Sequence, residues 1–178
     1  MLRAVISQVG ASLRVFTIDD IELVEPYDAS HERPLCAGVV MSPWVNRLDR
    51  GTWTHKGVAL ANSINIADQQ NANHGLLLDF PYEAEDKSGA AVTLRATITP
   101  SEGYPFHVDT WVTYELGENG LTVTHRAINR SSEAAPYATG AHPYFKFSAV
   151  ETRELTLYSH AATQTVVDDR QIPVSTRP

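Results

Sequence analysis

The sequence holds a single cysteine, Cys36, so an internal disulfide is excluded. The apolar neighbours of Cys36 mark it as a buried thiol rather than a nucleophile. No His-x-His or Cys-x-x-Cys pair occurs, and no metal site is expected. A Gly-x-Ser-x-Gly elbow is missing too, which excludes the serine-hydrolase arrangement built on it. Basic residues are few and scattered, with 14 Lys and Arg against 21 Asp and Glu and a net charge of −7. Nucleic acid is therefore not an expected partner, because phosphate binding needs concentrated positive charge. No apolar run approaches membrane-spanning length. The N-terminus shows no cationic segment leading into an apolar run and a cleavage site. The expectation is a soluble, cytoplasmic protein with no membrane partner.

Helical periodicity is also lacking, and strand periodicity takes its place. Val92 to Thr99 alternates apolar and polar residues with period two, as a half-buried strand does. Phe106 to Leu116 is rich in β-branched and aromatic residues, Gly117 to Gly120 supplies a turn, and Leu121 to Asn129 returns. Leu155 to Tyr158 and Thr163 to Val167 read as two further strands. Ser12 to Ile18 and Ile21 to Val24 form a predicted hairpin around Asp19-Asp20. Trp53 to Leu60 forms another, turning at Lys56-Gly57. Glu25 to Pro34, Asn62 to Asn73 and Asn129 to Pro136 read as loops, being rich in Asn, Asp, Ser and Pro. Hydrophobic residues make up 43% of 178, enough for a packed core. These features predict an all-β fold, a single antiparallel β-sandwich domain over residues 1–178.

Three short islands carry chemistry. The first is Ser42-Pro43-Trp44-Val45-Asn46-Arg47-Leu48, followed by Gly51. The second is Asn73-His74-Gly75-Leu76, and the third is Gly140-Ala141-His142-Pro143-Tyr144-Phe145. A residue before proline is biased to extended backbone, so His142 is fixed beside two aromatic rings. In order and spacing the three islands resemble the aldose 1-epimerase (galactose mutarotase) family. Gly103-Tyr104-Pro105-Phe106, Val112 to Leu116, Asn129 and Ala135-Pro136 agree with that resemblance. It implies a galactose mutarotase-like sandwich that interconverts the α and β anomers of a free hexose without a cofactor. It assigns His142 as general acid, His74 as a partner near the ring oxygen and Arg47 as a substrate anchor.

Ring opening needs one group to give a proton and another to take one. Histidine suits the donor, since its ordinary pKa of about 6.5 lies close to working pH. A guanidinium fork suits the anchor. Asn46 reads either as a sugar contact or as a residue that satisfies its own loop backbone. Trp44 and Tyr144 read either as walls for the sugar C–H faces or as core packing. His31, His55, His107, His125 and His160 match no catalytic position.

Departures from the family pattern carry their own expectations. Asp169-Arg170-Gln171-Ile172-Pro173 resembles a segment lying well before the family's C-terminus, so the chain reads as C-terminally truncated relative to the family. The region beyond normally supplies a substrate-binding Asp and the general-base Glu. A catalytically weak sugar-binding sandwich is the alternative that this implies. Open strand edges and self-association are expected on the same ground. Val45 stands where a proline is common. Leu78 stands where some relatives carry arginine, which disfavours a phosphorylated sugar.

Overall fold

The computed structural model describes residues 1–30 and 33–178. His31 and part of the Glu25–Pro34 loop lie outside the described residues. The chain opens on strands β1 (Leu2–Ile6), β2 (Leu13–Ile18) and β3 (Ile21–Glu22), which form one antiparallel sheet. Five short strands follow: β4 (Val40–Met41), β5 (Arg47–Asp49), β6 (Thr52–His55), β7 (Val58–Ala61) and β8 (Asn71–Asn73). Then come β9 (Glu83–Lys87), β10 (Ala91–Ile98), β11 (Val108–Gly117) and β12 (Gly120–Asn129). They build the largest sheet, in the order β12-β11-β10-β9. The last strands are β13 (Gly140–Ala141), β14 (Gln164–Val167) and β15 (Pro173–Arg177). β13 pairs with β4, β5 with β8, β6 with β7 and β14 with β15.

The alternation in β10 sets which side faces the core. Leu94, Ala96 and Ile98 are buried while Thr93, Arg95 and Thr97 are only half-buried, the division that a two-residue repeat imposes. Val108, Val112 and Tyr114 of β11 join the same core, which also takes in Ala11, Val40, Leu77 and Tyr82. Tyr114 ties β11 to the turn between β1 and β2, its hydroxyl donating to the Ala11 carbonyl at 2.6 Å. The architecture is therefore all-β, with no α-helix among the described residues.

Two details differ from the sequence reading. Leu155–Tyr158 is not a strand. A 3-10 turn covers Thr152–Glu154, and Leu157 and Tyr158 are 88% and 90% exposed. Apolar alternation makes a strand only where a neighbouring strand takes up the backbone N–H and C=O groups; among the described residues no strand pairs with this stretch, and the Leu155 N–H donates back to the Thr152 carbonyl at 3.1 Å. The predicted loop from Asn62 to Asn73 ends in β8, whose Asn-Ala-Asn sequence has no strand propensity and is held by pairing with β5.

Candidate functional site

Residues 37–43 are all buried, and this segment is the frame on which the three islands meet. The backbone of His142 is pinned to it from both sides. Its N–H donates to the Val39 carbonyl at 2.9 Å, and its carbonyl accepts from the Gly38 N–H at 2.8 Å. The second island docks on Ser42, whose carbonyl accepts from the Leu76 N–H at 2.7 Å. Gly75 makes that approach possible. Its φ is +86°, and a Cβ there would lie 2.0 Å from the Ser42 carbonyl oxygen. The Ser42 side chain reaches the other way, donating to the Tyr137 hydroxyl at 3.1 Å. Tyr137 in turn lies 3.0 Å from Thr110 Oγ1 on β11. Ser42 thus links the His74 island, the approach to the His142 island and the large sheet.

Asn46 and His74 hold each other. The Asn46 N–H donates to His74 Nδ1 at 3.2 Å, and the His74 N–H donates to the Asn46 carbonyl at 2.9 Å. Both residues sit in the left-handed region, with φ of 61° and 63°. Non-glycine residues enter that region rarely, Asn and His more readily than most, and such positions cluster at functional sites. Because Nδ1 accepts a hydrogen bond, the neutral His74 ring carries its proton on Nε2. Burial, then the neighbouring His142 and Arg47, push the His74 pKa down to about 4. At neutral pH His74 is therefore an uncharged donor with a fixed tautomer, not a proton source.

The rings of His74 and His142 stand edge to face, with centroids 5.1 Å apart. Tyr144 flanks His142, with ring centroids 5.4 Å apart and planes inclined at 52°. Arg47 opens β5 and is paired with Asn73 on β8. Its Nε donates to Gln69 Oε1 at 3.0 Å and its Nη1 to Asn46 Oδ1 at 2.8 Å. Both partners are neutral, so the guanidinium keeps its charge and its remaining N–H groups. The structure thus places Asn46, Arg47, His74, His142 and Tyr144 in one continuous group. Trp44, in the same island as Asn46 and Arg47, is half-buried, and its indole N–H has no hydrogen-bond partner among the described residues. Among the described residues, no carboxylate hydrogen-bonds or ion-pairs with any of the five, and no group of three or more metal-ligating side chains occurs.

The sequence reading did not pick out Ser42, Gln69 or Tyr137 individually. Ser42 lay inside a quoted motif; Gln69 and Tyr137 gave no signal. Arg170 was noted only as part of a segment, and its side chain fastens that segment to the β5–β8 pair. Its Nη2 meets Asp49 at 2.7 Å and its Nε donates to the Gln69 carbonyl at 3.0 Å. Cys36 is half-buried and its thiol pKa is pushed up, chiefly by burial, so it is a poor nucleophile at neutral pH.

Comparison with known proteins bears on this arrangement. The chain is 33% identical over 174 residues to the protein YihR of Escherichia coli K12, covering 97% of this chain and 56% of that protein. It is 29% identical over 144 residues to human galactose mutarotase, covering 76% of this chain and 40% of that one. The chain therefore spans about half the length of these relatives. A GalM/aldose epimerase homologue from C. elegans superposes with a TM-score of 0.85 at 21% identity, over 99% of this chain and 57% of that chain. A galactose mutarotase-like protein from Clostridium acetobutylicum superposes with a TM-score of 0.79 at 20% identity, over 98% and 58%. The family model for aldose 1-epimerase matches residues 1–177, and the chain belongs to the aldose 1-epimerase family.

Proposed function

We propose that this chain carries the acid side of a hexose mutarotation site. The substrate is a free aldohexose and the product its other anomer. His142 gives a proton to the ring oxygen as the C1–O5 bond opens. His74 donates a hydrogen bond from Nε2 to the same region, and Arg47 holds ring hydroxyls. Tyr144 gives the sugar a flat face beside His142, and Asn46 fixes the His74 tautomer. Proton removal from the anomeric hydroxyl falls to a base outside this group of five. No cofactor takes part in the proposal. The cytoplasm is the compartment proposed for it, a reading supported by a chain with no internal disulfide. The observation that carries the proposal is the His74–His142 pair, one ring locked as a neutral donor and the other standing 5.1 Å away.

The second reading is a sugar-binding protein without turnover. It is favoured by the lack of any carboxylate hydrogen-bonded to or ion-paired with the group among the described residues. General acid–base groups contribute ~10²–10⁴-fold each, so a site with no base would scarcely exceed water. NMR exchange between the anomers of galactose and of glucose separates the two. Exchange above the buffer rate supports the mutarotation site. Exchange at the buffer rate with sugar still bound supports the binding protein.

A further inference from the structure

The hairpin of β14 and β15 buries little. Among the described residues its strands pair only with each other, and β15 is exposed throughout. The turn between them is nevertheless firmly fixed. Asp168 Oδ1 accepts from the backbone N–H groups of Arg170 at 2.9 Å and Ile172 at 2.8 Å, and Gln171 enters the left-handed region at φ 63°. Arg170, in this turn, is half-buried and bonds to both sides of the β5–β8 pair. Its carbonyl accepts from Asn71 Nδ2 at 2.8 Å and its Nη2 donates to Asn71 Oδ1 at 3.1 Å; Asn71 is completely buried. Its Nε donates to the Gln69 carbonyl at 3.0 Å, and its Nη2 meets Asp49 on β5 at 2.7 Å. A planar guanidinium that donates in several fixed directions holds a loop as a point charge cannot.

The loop held in this way carries Gln69, whose Oε1 accepts from Arg47 Nε at 3.0 Å. Arg47 and Asp49 lie two residues apart on β5, hence on the same face and about 7 Å apart along the strand. Arg170 therefore bears on Arg47 in two ways. It fixes the backbone from which the Gln69 acceptor projects, and it occupies the carboxylate that β5 places on the Arg47 side. With Nε bound to Gln69 and Nη1 to Asn46, the Arg47 guanidinium is held at two corners. Its Nη2 is taken up by no hydrogen bond among the described residues. We infer that Arg170 is a positioning residue for substrate binding, which fixes, through Gln69, the direction in which Arg47 presents its Nη2 to the hydroxyls of a sugar. The inference rests on Arg47 as the sugar anchor of the proposed site. Arg170 acts through its neighbour and makes no contact with the sugar itself.

The test is an ¹⁵N-¹H titration of the whole chain with galactose, following the arginine Nε–H peaks. The Arg47 peak is assigned by its loss in Arg47→Lys. In Arg170→Met, before any sugar is added, that peak is expected to move and to exchange faster with water, because its acceptor is no longer held. Galactose affinity then falls about tenfold, the loss of roughly one hydrogen bond. Gln69→Met removes the acceptor but keeps the backbone carbonyl for Arg170, and it is expected to give the same two changes. In an Arg47→Lys background, where the fork is already gone, Arg170→Met costs no further affinity. Two results overturn the inference. One is an Arg47 peak and a galactose affinity both unchanged in Arg170→Met. The other is an equal loss of affinity with Arg47 or Lys at position 47, which makes Arg170 a general support of the fold. Full affinity in Arg47→Lys alone is a separate result: it removes Arg47 from the sugar site whatever stands at position 170, and the inference falls with it. If Arg170→Met does not fold, Arg170→Lys takes its place with the same expectations, since it keeps the charge beside Asp49 and loses the fork.

Discussion

His74 ties stability to pH at the scale of a single residue. Its pKa is about 4 in the folded chain against an ordinary value of about 6.5. Between these values the unfolded chain binds the proton and the folded chain does not, so acid favours unfolding. The contribution is complete above about pH 6.5 and is lost as the pH falls to about 4, amounting to at most about 3 kcal/mol. His125, also lowered by burial, acts in the same direction. Asp109 extends the loss further into acid. Burial raises its pKa, but hydrogen bonds from Arg130, Thr97 and Arg95 outweigh that and hold it at about 2. Urea midpoints are expected to fall steadily from pH 7 to pH 4.5, and a flat profile would mean that His74 is solvated. Arg47 supports a second expectation at this scale. Arg47→Lys keeps the charge but loses the fork, so galactose binding measured by calorimetry weakens about tenfold. Unchanged affinity would leave Arg47 a purely structural partner of Gln69 and Asn46.

The second island shows what an element needs in order to carry a site. Gly75 lies at φ +86°, and an added Cβ would meet backbone, not a yielding side chain. Gly75→Ala is therefore expected to destabilise the chain by on the order of 3 kcal/mol and to release His74 from the Ser42 segment. A calorimetric melting point within a degree of wild type would show that the docking is dispensable. The elements that read clearly from sequence were those whose own residues dictate them. β10 shows strict alternation, and β11 and β12 join through a short turn rich in Gly and Asn. Elements made by their neighbours did not read. β9 is Glu-Ala-Glu-Asp-Lys, exposed throughout, and is a strand only because β10 supplies its hydrogen bonds. Leu155–Tyr158 is the converse, apolar in pattern but without a partner strand. At the site, the sequence islands located the five residues that converge. It could not show the Ser42–Tyr137–Thr110 relay, in which hydroxyls far apart in the chain bond to one another.

At the scale of the whole molecule, much apolar surface is open. Phe145 is 69% exposed, Leu157 88% and Tyr158 90%. The large sheet ends on β12 at one side and β9 at the other, and free strand edges recruit further strands. Self-association is accordingly expected, with a sedimentation coefficient that rises with concentration. A single monomeric species across the same range would count against it. The central claim concerns His142. The most direct measurement is anomer exchange of galactose, by NMR, for the wild-type chain and His142→Asn side by side. The account predicts exchange above the buffer rate for wild type and a loss of at least ~10²-fold in the protein-dependent rate for the variant. A variant that exchanges the anomers as fast as the wild type would contradict it.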